Sequence, residues 1–159
     1  MINWHSILAW GFVATSVLSV IEAIGRWMGW TRISIHFLVG TMFTGNRDKA
    51  AWIGIPVHML NGWIAAIGYG LILEAWRATW WTGLLLGLLH GGFVLAVAIP
   101  AMPGLHPRMA SERHGPDPTP LLQPPGFMAL NYGRGTTIIT MIAHIMYGTI
   151  LGLMYEPVK

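Results

Sequence analysis

The sequence predicts an all-α, polytopic membrane protein: a four-helix transmembrane bundle made of two hairpins in a parallel pseudo-repeat. Three observations carry that expectation. Of the 159 residues 54% are hydrophobic and only 9% are charged, whereas soluble domains carry about 25% charge. Four apolar stretches, at about residues 7 to 29, 51 to 75, 79 to 101 and 136 to 155, each come close to the ~20 residues a helix needs to cross the hydrocarbon core. The triplet His58, Gly62 and Tyr69 in the second stretch returns at the same spacing in the fourth as His144, Gly148 and Tyr155.

Four spans and one substantial loop use up the length, so residues 1–159 read as a single transmembrane domain with no soluble domain beside it. Cysteine is absent, which excludes disulfides, thiolate metal sites, covalent haem attachment and cysteine nucleophiles. The formal charge of +3 is what loop arginines of a membrane protein produce, and no basic tract points to nucleic acid.

The first span opens without the Lys or Arg of a secretory signal and is long enough to cross, so it is expected to be retained. It places Gly11, Thr15, Ser19, Glu22 and Arg26 on one stripe, which must face protein. Glu22 and Arg26 stand four apart in the favourable order for a local ion pair. In the loop that follows, residues 33–43 are apolar but too short to cross, and are expected to lie at the interface or dip in briefly.

The second span aligns His58, Asn61, Gly62, Ala65 and Tyr69 on one face. Only residues 76–79 connect it to the third, so these two spans are expected to form an adjacent, antiparallel central hairpin. The third span carries Gly83, Gly87 and Gly91, two overlapping small-xxx-small steps suited to tight helix packing, with His90 close to the same face. The third loop, roughly 102–135, holds seven of the ten prolines and cannot be one regular helix. Its second half, residues 121–130, is apolar enough to lie on the bilayer or on a partner protein. The fourth span aligns Thr137, Thr140, His144, Tyr147, Gly148, Leu151 and Tyr155.

Arg26, Arg32, Arg47 and Lys49 flank or occupy the first loop and Arg108, Arg113 and Arg134 lie in the third, against Arg77 and Lys159 on the other side. The positive-inside rule then puts loops one and three in the cytoplasm and both termini outside. Trp4, Trp76, Trp80 and Trp81 mark the outer belt, and Trp27, Trp30 and Trp52 the inner one.

Counted from the span ends at ~1.5 Å per residue, Glu22, His58 and His144 all fall ~10 to 12 Å from the cytoplasmic boundary, and His90 lies ~15 Å in. A histidine at that depth needs an internal partner or a ligand. Three readings stay open. The histidines can tie helices together by hydrogen bonds. His58 and His144, with His90 nearby, can hold a haem b or a bacteriochlorophyll-type pigment, the glycines one turn away making room for the ring; Glu22, His58 and His144 can instead hold Fe, Mn or Zn. Glu22, His58, His90 and His144 can also form a ladder of titratable groups for proton or ion movement. Met102, His106 and Met109 have the look of a copper site, but two prolines stand among them and composition accounts for the cluster. No phosphate-binding glycine loop, nucleophile elbow or metalloprotease His-Glu pair occurs.

The runs Gly11-Phe12-Val13-Ala14-Thr15, His58 through Tyr69, and Ala143-His144-Ile145-Met146-Tyr147-Gly148 through Tyr155 resemble a group of small four-helix bacterial inner-membrane proteins of unknown function. The resemblance implies the four-helix architecture and a bacterial inner membrane, and it supplies no site residues. The expected role is an accessory integral subunit of a larger respiratory or photosynthetic membrane complex, with other membrane subunits and the lipid bilayer as partners. A small transporter or proton-conducting protein, or a metal-dependent membrane oxidoreductase, are the alternatives.

Overall fold

A computed structural model describes residues 2–76, 78–111 and 121–158. Arg77, Arg113, Pro116, Pro118, Pro120 and Lys159, used above for charge balance and loop character, lie outside the described residues. Among the described residues the chain is helical throughout, with no strand.

Helix α1 covers Trp4–Trp27; Asn3 starts it, its side chain accepting the Ser6 N–H at 3.1 Å. After a turn at Gly29, whose φ of +74° suits glycine, comes the short α2, Ile35–Gly40. Helix α3 runs over Arg47–Trp76, and Asn46 caps it by accepting from the N–H groups of Asp48 and Lys49. That cap carries the helix about one turn beyond the apolar stretch. Thr79 and Thr82 form a reciprocal capping box at the start of α4, Trp80–Phe93. The helix then widens into a π segment, Val94–Ala98, and resumes as α5, Ile99–Leu105. A 3₁₀ segment, Phe127–Tyr132, leads into α6, Arg134–Met154.

Four helices are long and apolar enough to cross a membrane: Trp4–Trp27, Arg47–Trp76, Trp80–Leu105 and Arg134–Met154. Their outward faces carry large apolar side chains such as Phe12, Leu60, Leu89 and Ile138. Trp4, Trp76 and Trp80 are exposed at one end of the bundle, and Trp27 and Trp52 at the other.

Helix α6 is central, packed against α4 on one side and α1 on the other, with α3 beyond α1. The expected central hairpin departs from this order: α3 and α4 follow each other in sequence but touch only sparsely. Glycine explains the difference. Gly83 and Gly87 of α4 lie against the backbone of α6 at Gly148, Gly152 and His144, so a Cβ on Gly83 or Gly148 would strike the opposite main chain. Helices approach most closely where both partners lack side chains, and the glycine stripe draws α4 towards α6 rather than α3. The two triplets therefore sit in unlike settings, for Gly62 meets the Thr15 side chain of α1 while Gly148 meets the α4 backbone.

Towards the termini, α1, α3 and α6 enclose an apolar core that includes Ile7, Ala66, Leu73 and Leu151. A second core lies at the loop end, where Ile33, Leu38, Leu95, Met109, Leu122 and Ala129 pack together. Part of residues 121–130, expected on the bilayer or on a partner protein, is used inside the protein. Leu122 and Ala129 turn inward onto loop one, and Phe127 and Leu130 alone of the large apolar side chains there remain exposed. Loop three is pinned by backbone bonds, Leu122 N–H to Arg108 O at 2.8 Å and Ala110 N–H to Leu122 O at 2.9 Å. His106 is fully buried; its Nδ1 accepts from the Arg108 N–H at 3.1 Å, so Nε2–H donates to the Leu38 carbonyl at 2.9 Å. Nδ1 thereby shapes the turn of loop three, and Nε2 joins that loop to loop one.

Candidate functional site: a histidine-lined cavity inside the bundle

Every long helix contributes to one cavity of about 150 Å³ between the two cores. Thr15, Leu18 and Glu22 come from α1, His58, Asn61, Gly62 and Ala65 from α3, His90 and Val94 from α4 and its π segment, and Thr140, His144 and Tyr147 from α6. Ile33 and Ile35 line it at the loop end. The four residues singled out by depth, Glu22, His58, His90 and His144, thus share one space. The π segment that begins at Val94 follows His90 directly and continues the same wall; such widened turns recur at functional sites.

Glu22 is 4% exposed, and its Oε2 has no hydrogen-bond partner; neither has the buried Nε2 of His58. A buried polar atom without a partner is rare enough to need a reason. The expected ion pair with Arg26 does not form, because Nη1 of Arg26 donates to the Ile33 carbonyl at 3.4 Å instead. Once the chain turns back at Gly29, this carbonyl offers the guanidinium a partner on the way out of the bundle, which leaves the carboxyl facing the cavity.

On α6, His144 donates Nδ1–H to the Thr140 carbonyl at 2.8 Å, since a carbonyl can only accept. Nε2 is left with its lone pair free, and the ring packs edge-to-face on His90 with centroids 4.7 Å apart. Beyond His90 stands Tyr69, whose hydroxyl is 3.4 Å from His90 Nδ1 and whose ring lies 5.3 Å from that of Tyr147. Tyr147 donates its hydroxyl to the Gly62 carbonyl at 2.6 Å, a strut from α6 to α3 over the cavity.

At the loop end His36 on α2 meets His58 edge-to-face at 5.2 Å, with Ser19 Oγ 3.4 Å from its Nε2. Burial, and secondarily the positive charge of Arg26, hold the His36 imidazole below its ordinary 6.5. His36 had no role in the sequence reading. The signal for it was a histidine inside an apolar stretch too short to cross, which must fold back onto the bundle. Tyr147 and Asn61 stood on the polar stripes, but nothing in their spacing marked one as a strut and the other as exposed.

Two arrangements expected for cofactors meet the geometry differently. A macrocycle between His58 and His144 does not fit. The space beside Gly62 is filled by Thr15 and that beside Gly148 by α4, and a cavity of about 150 Å³ is the size that accepts benzene. For a metal, Glu22, His58 and His144 line the same cavity, but among the described residues no three such side chains stand close enough together to hold an ion.

In comparisons with known proteins, no family model, no curated protein and no solved structure matches this chain.

Proposed function

We propose that this chain is a multi-pass membrane protein that takes up and hands on protons at its interior site, as a small proton-conducting or proton-coupled transport protein. The observation that carries this reading is the convergence of Glu22, His58, His90 and His144 on one cavity, with Glu22 Oε2 and His58 Nε2 unpartnered inside it. Ionisable groups within a span face an interior pathway when they serve ion or proton movement. Here His36 and His58 meet at the loop-one end, His144, His90 and Tyr69 meet further in, and the shared cavity joins the two groups into a row leading inward. Past Tyr69 the row stops at the apolar core of Ile7, Leu73 and Leu151. A row open from one end and sealed at the other suits a site served from one side at a time. With loop one cytoplasmic by its arginines, the open end faces the cytoplasm.

The test is pH-driven proton flux into liposomes holding the purified full chain. Wild type is expected to dissipate an imposed gradient, and Glu22→Gln to lower the rate at least about tenfold, the scale on which a positioned proton donor or acceptor acts. No flux above empty liposomes, or equal flux in the variant, overturns the reading. Gentle extraction from native membranes, with an absorption spectrum taken across the eluted peak, tests the accessory-subunit alternative. A haem or pigment band in a large complex would replace proton handling with that role.

A further inference from the structure

We propose that the seam between α3 and α4 admits a membrane-soluble phenol, a single hydroxyl-bearing aromatic ring with an alkyl tail, whose ring enters the cavity and donates its hydroxyl to Glu22. The proposal rests on the interior-site reading above and names what the site takes besides protons.

Burial of the cavity wall locates the mouth. The contributions of α1 and α6, including Thr15, Glu22, Thr140 and His144, are buried throughout. Those of α3 and α4 are half-buried at His58, Ala65, His90 and Val94 and exposed at Asn61. The cavity therefore opens sideways, between two long helices that pack only sparsely against each other. Asn61 is midway along α3, ~21 Å from its start at 1.5 Å per residue, and its amide is engaged by no partner among the described residues. At that depth an open amide faces hydrocarbon, a costly place for a polar group unless something polar comes to it.

The interior specifies the ligand. Its volume of about 150 Å³ suits one six-membered ring. Its walls are largely aliphatic, with Leu18, Ile33, Val94 and Ile99, while the imidazoles of His90 and His144 already stand edge-to-face as an added ring would pack. Glu22 Oε2 lacks a donor, which a phenolic O–H supplies; an anionic ligand would meet the carboxylate instead. Further along the same seam, Leu71, Ile72 and Trp76 of α3 face Leu86 and Leu89 of α4 across an apolar groove. A tail leaving the mouth at Ala65 has this groove to lie in.

Equilibrium binding of radiolabelled 4-nonylphenol to the full chain in lipid nanodiscs tests the inference, with empty nanodiscs measuring partition into lipid. Saturable uptake of one molecule per chain is expected, displaced by unlabelled 4-nonylphenol but not by nonylbenzene. Glu22→Leu, which removes the acceptor, is expected to weaken binding about tenfold. Ala65→Leu, which narrows the mouth without touching the polar groups, is expected to weaken it as much or more; both variants are first checked for wild-type elution and helicity. Uptake no greater than partition, equal displacement by nonylbenzene, or unchanged affinity in both variants overturns the proposal. Glu22-dependent proton flux with no saturable binding overturns the ligand and leaves proton handling standing. Saturable, Glu22-dependent binding without flux supports the ligand and overturns proton handling alone.

Discussion

Helix α4 has two seams, and they are built in opposite ways. Against α6 it closes main chain to main chain through Gly83, Gly87, Gly148 and Gly152. Against α3, its neighbour in sequence, it makes few contacts, and the seam gapes beside Asn61 and Ala65. The contrast teaches that side-chain volume, and not chain connectivity, decides which helices close up. It also explains where the polar site lies: with α4 drawn towards α6, His90 packs on His144 and stays half-buried beside Tyr69 of α3, at the edge of the cavity.

Breaking the tight seam should have the largest effect. Gly148→Leu sets a side chain where the α4 backbone lies, and since neither main chain can yield without separating the helices, about 3 kcal/mol or more of stability should be lost. Leu89→Ala on the open seam, where the side chain is 68% exposed, should change stability by less than about 0.5 kcal/mol. Reversible unfolding in mixed detergent measures both, and similar losses would refute the asymmetry between the seams.

Next comes the strut. With so little packing between α3 and α4, the bond from the Tyr147 hydroxyl to the Gly62 carbonyl ties α3 to the far side of the cavity. Tyr147→Phe should cost about 1 kcal/mol, more than an ordinary surface bond, because the buried carbonyl loses this donor. Tyr69→Phe should cost only a few tenths of that, since its hydroxyl reaches His90 at 3.4 Å, near the limit of a hydrogen bond. Amide hydrogen exchange along α3 would register the first substitution and barely the second.

Much of this was legible in the sequence, and the residues show why. Span positions follow from the length of apolar runs, which hydrophobicity alone dictates, and the structural bounds differ from them mainly where Asn3 and Asn46 add capped turns and where the third helix runs on to Leu105. Depth counting placed Glu22, His58 and His144 in one layer and His90 a little deeper because an α-helix rises by a constant amount, and all four line the cavity. The spacing could not say which helices meet. His58 and His144 share a period with Gly62 and Gly148, yet the first glycine receives a threonine and the second a backbone. Such tertiary choices depend on neighbours hundreds of atoms away in the chain. The inward turn of Leu122 and Ala129 is likewise invisible locally, since an apolar loop segment looks the same whether it covers its own protein or another.

The smallest expected effect concerns the entrance to the row. His36 faces Ser19, His58 and the charge of Arg26, and burial followed by that charge keeps its imidazole below 6.5. A base whose folded value is depressed binds fewer protons in the folded chain than in the unfolded one between the two values. Stability from this residue is therefore complete above about pH 6.5, declines as pH falls through 6.5 towards the folded value, and then levels off. Because His36 is only half-buried, solvent screening keeps the contribution small. His36→Gln should flatten part of the acid slope of stability between pH 7 and pH 5, as measured by unfolding midpoints at each pH, while the cost of Gly148→Leu stays nearly constant over the same range. An unchanged slope in His36→Gln would mean that the imidazole stands freer of the bundle than its contact with His58 implies, and that the closed wall of the cavity ends at His58 and not at loop one.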